Sequence, residues 1–244
     1  MRAVLLAAVA LMSAGRAAFA QPAAPAGGRP PADVAADVHR HPDQVIAFAG
    51  VKPGDTVIEM IPGGGYYTRL LSAAVGPGGR VFAVVPNVMA EMKPETVTSE
   101  RALAAEPGYG NVTVVVEGLG KITDQGPADV VWTTQNYHDL HNNHVPPDTA
   151  AAVDKAVFAA LKPGGVYLVE DHVAAAGAGA SQASTLHRIE PAFARAEITQ
   201  SGLRFEATSS TVANPADPHT AAVFDPSIRG RTDQFIFRFR KPAA

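Results

Sequence analysis

Val57-Ile58-Glu59-Met60-Ile61-Pro62-Gly63-Gly64-Gly65-Tyr66-Tyr67-Thr68 is the stretch whose reading decides the fold. Its first half is near-continuously apolar, as a parallel strand buried on both faces is. Its second half runs on through Leu70 and Leu71 as an amphipathic helix. The three adjacent glycines between them let the backbone turn sharply and approach a ligand with no Cβ in the way. The strand's carboxyl end then faces a crevice, and Glu59, just before the turn, can offer a carboxylate there. A glycine turn also serves as a plain tight joint between strand and helix, so its surroundings must choose between the two readings.

Outward from this turn the same alternation repeats. Further strands are expected at Arg80 to Val85, Val112 to Glu117, Asp129 to Thr134 and Val166 to Glu170, with Thr56 to Ile61 as the first. Pro-Gly turns at 50–55, 76–79 and 162–165 each stop a helix and release the chain into the next strand. Helical spacing of Val153, Ala156, Val157, Ala160 and Leu161 predicts a helix from Asp148, which can cap it, to Leu161. A second helix is expected from Ala183 to Gln200, then an extended segment over Arg204 to Ser209. Phe235, Phe237 and Phe239 alternate with Gln234, Ile236 and Arg238, the period of a closing strand. Strands alternating with helices mark an α/β chain with a largely parallel sheet.

Composition narrows the function. The chain has 244 residues, 47% hydrophobic and 18% charged, enough to bury a core. With 20 Lys plus Arg against 23 Asp plus Glu, the net charge of -3 supplies no broad positive field for a nucleic-acid backbone. No cysteine occurs, so neither a disulfide nor a lipid-anchored cysteine is available. Arg2, the apolar run Ala3 to Met12 and the small-x-small triplet Ala18-Phe19-Ala20 read as a signal peptide over residues 1–20. A flexible Ala-, Pro- and Gly-rich linker over 21–32 and a folded domain over 33–244 follow. A periplasmic or secreted protein without a membrane anchor is therefore expected.

The order of elements, Glu59 with the glycine turn, the Pro-Gly-Gly stops and the terminal helix-strand-strand resemble the class I S-adenosylmethionine-dependent methyltransferases over roughly 33–242. More narrowly, Pro62 to Gly65, Asn136 to Leu140 and Asp225 to Lys241 are similar to a group of exported proteins inferred to be methyltransferases. The resemblance implies a Rossmann-like doubly wound sheet, mostly parallel with an antiparallel C-terminal strand. It implies S-adenosylmethionine as cofactor, with Glu59, Pro62, Gly63, Gly64, Gly65, Tyr66, Gln135 and Asn136 around it. The methyl acceptor is left open between a phenol, an amine, a thiol and a protein side chain, with a small molecule as the first expectation. Three positions depart from the family pattern. Ile61 stands for the first glycine of the turn, Val84-Val85-Pro86 stand where a ribose-binding acid closes the second strand, and Gly118-Leu119-Gly120 stand where an acid lies near adenine.

In an open parallel sheet, side chains just past the strands' carboxyl ends converge on one crevice. Gln135-Asn136-Tyr137-His138-Asp139 follow the fourth strand and Glu170-Asp171-His172 end the fifth. His138 or His172 is the expected proton acceptor, since imidazole titrates near neutral pH, with Asp139 or Asp171 orienting it. Capping of the next loop is the plainer role for Asn136, His138 and Asp139. His187 and Glu190 suit a helical pair three apart, and His187 and Arg188 can reach the acceptor side. The long segment Thr211 to Gly230 suits a lid, whereas His39-Arg40-His41 before Pro42 read first as a helix entry and second as a far wall of the crevice.

Two other function classes fit the same residues. A non-enzymatic exported binding module that kept the fold and lost the cofactor is favoured by Ile61, Val85 and Leu119. A metal-assisted enzyme would use Asp139 and Asp171, one after each strand, because some members of the resembled family hold an acceptor-chelating magnesium there.

Overall fold

Apolar strands joined by helices close into one sheet because each strand has two apolar faces to cover. The computed structural model describes residues 28–243; the expected signal peptide and most of the linker lie outside the described residues. Chain order runs α1 (Pro31–Arg40), α2 (Pro42–Ala49), β1 (Thr56–Met60), α3 (Tyr66–Val75), β2 (Arg80–Pro86), α4 (Asn87–Met92), α5 (Pro94–Ala105) and β3 (Val112–Glu117). It continues through β4 (Ala128–Thr134), α6 (Thr149–Ala160), β5 (Leu161–His172), α7 (Ala183–Leu186), α8 (Pro191–Gln200), β6 (Arg204–Ser209) and β7 (Gln234–Arg240). The seven strands lie in the order β3-β2-β1-β4-β5-β7-β6. β1 to β5 are mutually parallel, and β7 enters antiparallel between β5 and β6.

Alternation along the strands divides the core between two faces. Ile58, Met60, Val131, Tyr167 and Val169 meet α6 and α8 on one side. Val57, Val81, Val130, Trp132 and Leu168 meet Tyr67, Leu71 and Val45 on the other. β3, expected to be buried like the rest, is an edge strand and is only partly covered. Among the described residues no helix is long and apolar enough to cross a membrane.

Three local expectations are corrected. The helix foreseen from Ala183 to Gln200 is two helices, broken at His187, which sits in the left-handed region at φ 55°. Pro191 is the physical reason: it forces Glu190 into extended backbone and starts α8 afresh. Glu190 therefore cannot pair with His187, and its Oε2 accepts the Gly179 N–H at 2.8 Å instead. Asp148 does occupy the cap position of α6, but its side chain makes no capping bond. Helix α1 begins at Pro31.

Candidate active site

The carboxyl ends of β1, β4 and β5 lie side by side, with Glu59 beside Trp132 and Thr134 beside Glu170. Asn136 joins two of these ends: its Nδ2 donates to the Ile61 carbonyl at 3.0 Å and to the Met60 carbonyl at 3.4 Å, while its Oδ1 accepts from Thr133. This locks the loop after β4 onto the glycine turn after β1. Ile61 has φ 55°, a left-handed conformation that a β-branched residue rarely takes. Glycine takes that conformation without strain. A Cβ added at Gly63 or Gly64 would meet nothing within 4 Å, so the backbone there is open to a ligand. At Gly65 it would lie 2.5 Å from Leu103 and 2.8 Å from the Glu100 carboxyl, so this glycine is required by packing. Pro62, between the strand and the glycines, is buried.

Glu59 does not face the crevice as expected. Its carboxyl is 2% exposed and accepts the Thr68 hydroxyl at 2.6 Å, and the same hydroxyl lies 3.3 Å from Glu100. One hydroxyl proton cannot serve two carboxylates, so one acid keeps its own proton. Burial, with Glu100 close by, pushes Glu59 up to about 8, and burial pushes Glu100 up to about 7. Thr68 on α3 thus ties Glu59 of β1 and Glu100 of α5 together. Tyr66 is likewise turned to α1, its hydroxyl donating to Asp37 at 2.7 Å.

Helix α1 supplies Arg40, whose second expected role, a far wall of the crevice, is the one its contacts match. Arg40 lies over the Tyr66 ring at 4.4 Å and donates to Gln135 Oε1 at 2.8 Å, and Gln135 Nε2 donates to Gln234 at 3.1 Å. Arg40 therefore does wall the crevice. The only signal was its place before His41 and Pro42, where α1 has to stop.

The histidines sort themselves by partner. Asp171, with no exposed surface, accepts the His138 N–H at 2.7 Å, the His172 N–H at 2.7 Å and His138 Nδ1 at 2.9 Å. Burial would raise this acid, but His138 holds it below the usual carboxylate range. Burial opposes the His138 imidazolium, yet Asp171 outweighs it and lifts His138 above the ordinary histidine value. With Nδ1 committed to Asp171, His138 Nε2 faces His187 Nδ1 at 3.3 Å and Asp139 Oδ1 at 3.4 Å. His172 is the expected base that fails: its Nδ1 bonds the Thr232 hydroxyl at 2.8 Å, and burial pushes it down to about 4. The Asp139 and Asp171 metal pair also fails, because both Asp171 oxygens are taken by His138 and His172 and do not share a site with Asp139. Burial and the neighbouring His138 hold His187 below its ordinary value.

Arg188, the other expected acceptor-side group, points away from the crevice. It is fully buried and forms a two-pronged ion pair with Asp217, at 2.8 and 3.2 Å, and also donates to the Ala221 and Val173 carbonyls. This clasp fastens the segment 211–230 beside the site, and Phe224 from that segment packs edge-on against His187 at 4.9 Å. At the opposite end of the strands, a recess lined by Asp55, Asp129 and Lys162 is occupied by its own ion pair, Lys162 to Asp129 at 2.7 Å.

The crevice therefore combines an open glycine backbone, an arginine with an amide neighbour, and a buried imidazole fixed by a carboxylate. The carboxyl end of β2, Val84, Val85 and Pro86, offers no carboxylate. No protein-family model matches the chain. A protein-L-isoaspartate O-methyltransferase of Ignicoccus hospitalis is 28% identical over 126 residues, 51% of this chain and 51% of that protein. A second of that name, from Methanococcus maripaludis, is 29% identical over 116 residues, and the chain spans about half the length of these curated relatives. A SAM-dependent methyltransferase structure from Aquifex aeolicus superposes with a TM-score of 0.59 at 18% identity, over 82% of this chain and 89% of that one. At that level of identity the superposition speaks for the fold.

Proposed function

We propose that this chain, which has the fold of the class I S-adenosylmethionine-dependent methyltransferases, methylates a small acceptor through an O–H or N–H group. The observation that carries the reading is the open backbone at Gly63 and Gly64 on the same strand-end surface as the His138–Asp171 pair. When bound, the cofactor supplies an electrophilic methyl group, whose C–S bond breaks as the new bond to the acceptor forms. Arg40 suits the cofactor's carboxylate, and Gln135 holds Arg40 in place. Asp171 fixes His138 with Nδ1–H inward, so that Nε2, once an acceptor takes the place of His187 beside it, can receive the proton released. Holding the reactants in line supplies most of the acceleration, so the positioning groups weigh heavily. The buried position of His138 and the clasped segment 211–230 favour a small acceptor.

The names of the curated relatives favour a second reading, an isoaspartyl carboxylate on a peptide. Such an acceptor has no proton to lose and calls for a cation near it. Labelled methyl transfer from S-adenosylmethionine to small phenols and amines, run beside an isoaspartyl peptide, separates the two. In the first case Asp171→Asn is expected to lower kcat by about a hundredfold while leaving affinity for the demethylated cofactor unchanged. A drop of only a few fold, with the peptide as the accepted substrate, replaces the first reading by the second.

The cofactor's place is tested by two neighbouring glycines. Gly64→Ala is expected to keep stability within about 0.5 kcal/mol, since nothing lies within 4 Å of the new methyl, yet to weaken binding of the demethylated cofactor. Gly65→Ala is expected to lose about 1–3 kcal/mol or more, from φ 79° and the clash with Leu103 and Glu100. Calorimetry and urea melts read the two effects. Wild-type protein that gives no binding heat at millimolar cofactor removes the proposal. The N-terminal pattern ending at Ala20 supports export as part of this reading, and N-terminal sequencing of the mature chain tests it.

A further inference from the structure

We propose that His138 Nε2, His187 Nδ1 and Asp139 Oδ1 form a three-ligand site for a divalent transition ion of the zinc class. One ligand atom from each of these three side chains lies within 4.8 Å of the others. A tetrahedral ion with bonds of about 2.0–2.1 Å separates its ligands by about 3.3 Å. His138 Nε2 lies 3.3 Å from His187 Nδ1 and 3.4 Å from Asp139 Oδ1, which matches two edges of that figure. The third edge closes by a small swing of Asp139, whose side chain is 28% exposed.

Two further features belong to such a site. Asp171 accepts His138 Nδ1 at 2.9 Å from behind, the carboxylate that fixes the tautomer and strengthens the other nitrogen as a donor to metal. His187 is held by the chain break before Pro191 and by Phe224 at its edge, so its ring is placed before any ion arrives. Two imidazoles and a carboxylate are a donor set for zinc-class ions in sites that keep a position open. In the methyl-transfer reading, on which this role rests, the open position takes the acceptor oxygen. With the ion bound, His138 serves as a ligand and the polarised O–H loses its proton to solvent, whereas in the metal-free chain His138 Nε2 remains the base of the proposed function.

Binding of the ion is measured without any methyl donor, so its failure and the failure of the methyltransferase reading are told apart. The full mature chain is stripped with a chelator and titrated with Zn²⁺ by calorimetry and with Co²⁺ by visible absorption, while the demethylated cofactor is titrated in a separate cell. One ion per chain is expected. His187→Ala and Asp139→Asn should each weaken it by about tenfold or more, Asp171→Asn by about 10- to 100-fold, and the exposed His39→Ala should leave it unchanged. No stoichiometric uptake by the wild-type chain, or an unchanged affinity in His187→Ala, overturns the site and shows the 3.3 Å contact to be a hydrogen bond between two imidazoles.

Discussion

Replacing Arg188 with methionine is expected to destabilise the fold by about 3–5 kcal/mol, because it leaves the Asp217 carboxylate buried without its cation. The clasp concentrates many bonds in little space. Arg188 spends its donors on Asp217, Ala221 and Val173, and Asp217 also accepts the N–H groups of Asp233 at 2.7 Å and His219 at 3.0 Å. Burial would raise the Asp217 pKa, but those backbone bonds and Arg188 hold it below the usual range, so the acid stays charged after its partner is gone. A urea melt should show a lower midpoint at unchanged slope. The double variant Arg188→Met with Asp217→Asn should recover much of the loss, since the charge that needed the arginine is then removed. If the single variant loses less than about 1 kcal/mol, the segment 211–230 is held by other contacts and the clasp is incidental.

The second large effect concerns pH. Glu59 and Asp154 are pushed by burial up to about 8, from ordinary values of 4.5 and 3.8, and Glu100 and Glu170 by burial up to about 7, from 4.5. Asp154 has a local reason like that of Glu59: the Tyr137 hydroxyl lies 2.9 Å from both Asp154 and Glu197, and its single proton serves only one of them. Each raised acid keeps its proton in the folded chain where the unfolded chain has released it. Stability is therefore full below the ordinary values and falls as pH rises through about 7 to 8. Each tenfold difference in proton affinity is worth about 1.4 kcal/mol, so four such acids give a steep slope. The melting temperature should drop between about pH 5 and pH 8, and Glu59→Gln, which keeps the Thr68 contact without a charge, should flatten the slope. A melting temperature that holds level across this range would show these acids ionised in the fold. Asp171 and Asp217, held low, act in the opposite sense: their contribution is lost as pH falls below the ordinary carboxylate range.

Strands and turns were the most legible part of the chain. Val57 to Met60, Val81 to Val85 and Val166 to Val169 are apolar runs that only a sheet covered on both faces can hide, and Gly-Pro punctuation marks their ends. Helical propensity runs through His187 without a local break, but Pro191 restricts the residue before it and opens a new helix. The candidate site was legible by neighbourhood: His138, Asp139, Asp171 and His172 stand at the ends of adjacent strands, so they had to come near one crevice.

Sequence by itself determined the alternation of strand and helix, and with it the sheet and the crevice at its carboxyl end, because side-chain period and backbone stereochemistry act over a few residues. Partner choice was decided only in the tertiary structure. His138 takes Asp171 from the next strand and not the adjacent Asp139, Glu59 turns to Thr68, and Arg40 crosses from α1 to Gln135. Each is a hydrogen bond between groups far apart in the chain or on opposite sides of a turn. Its formation depends on distances of a few tenths of an ångström that packing of both sheet faces sets and no local pattern encodes.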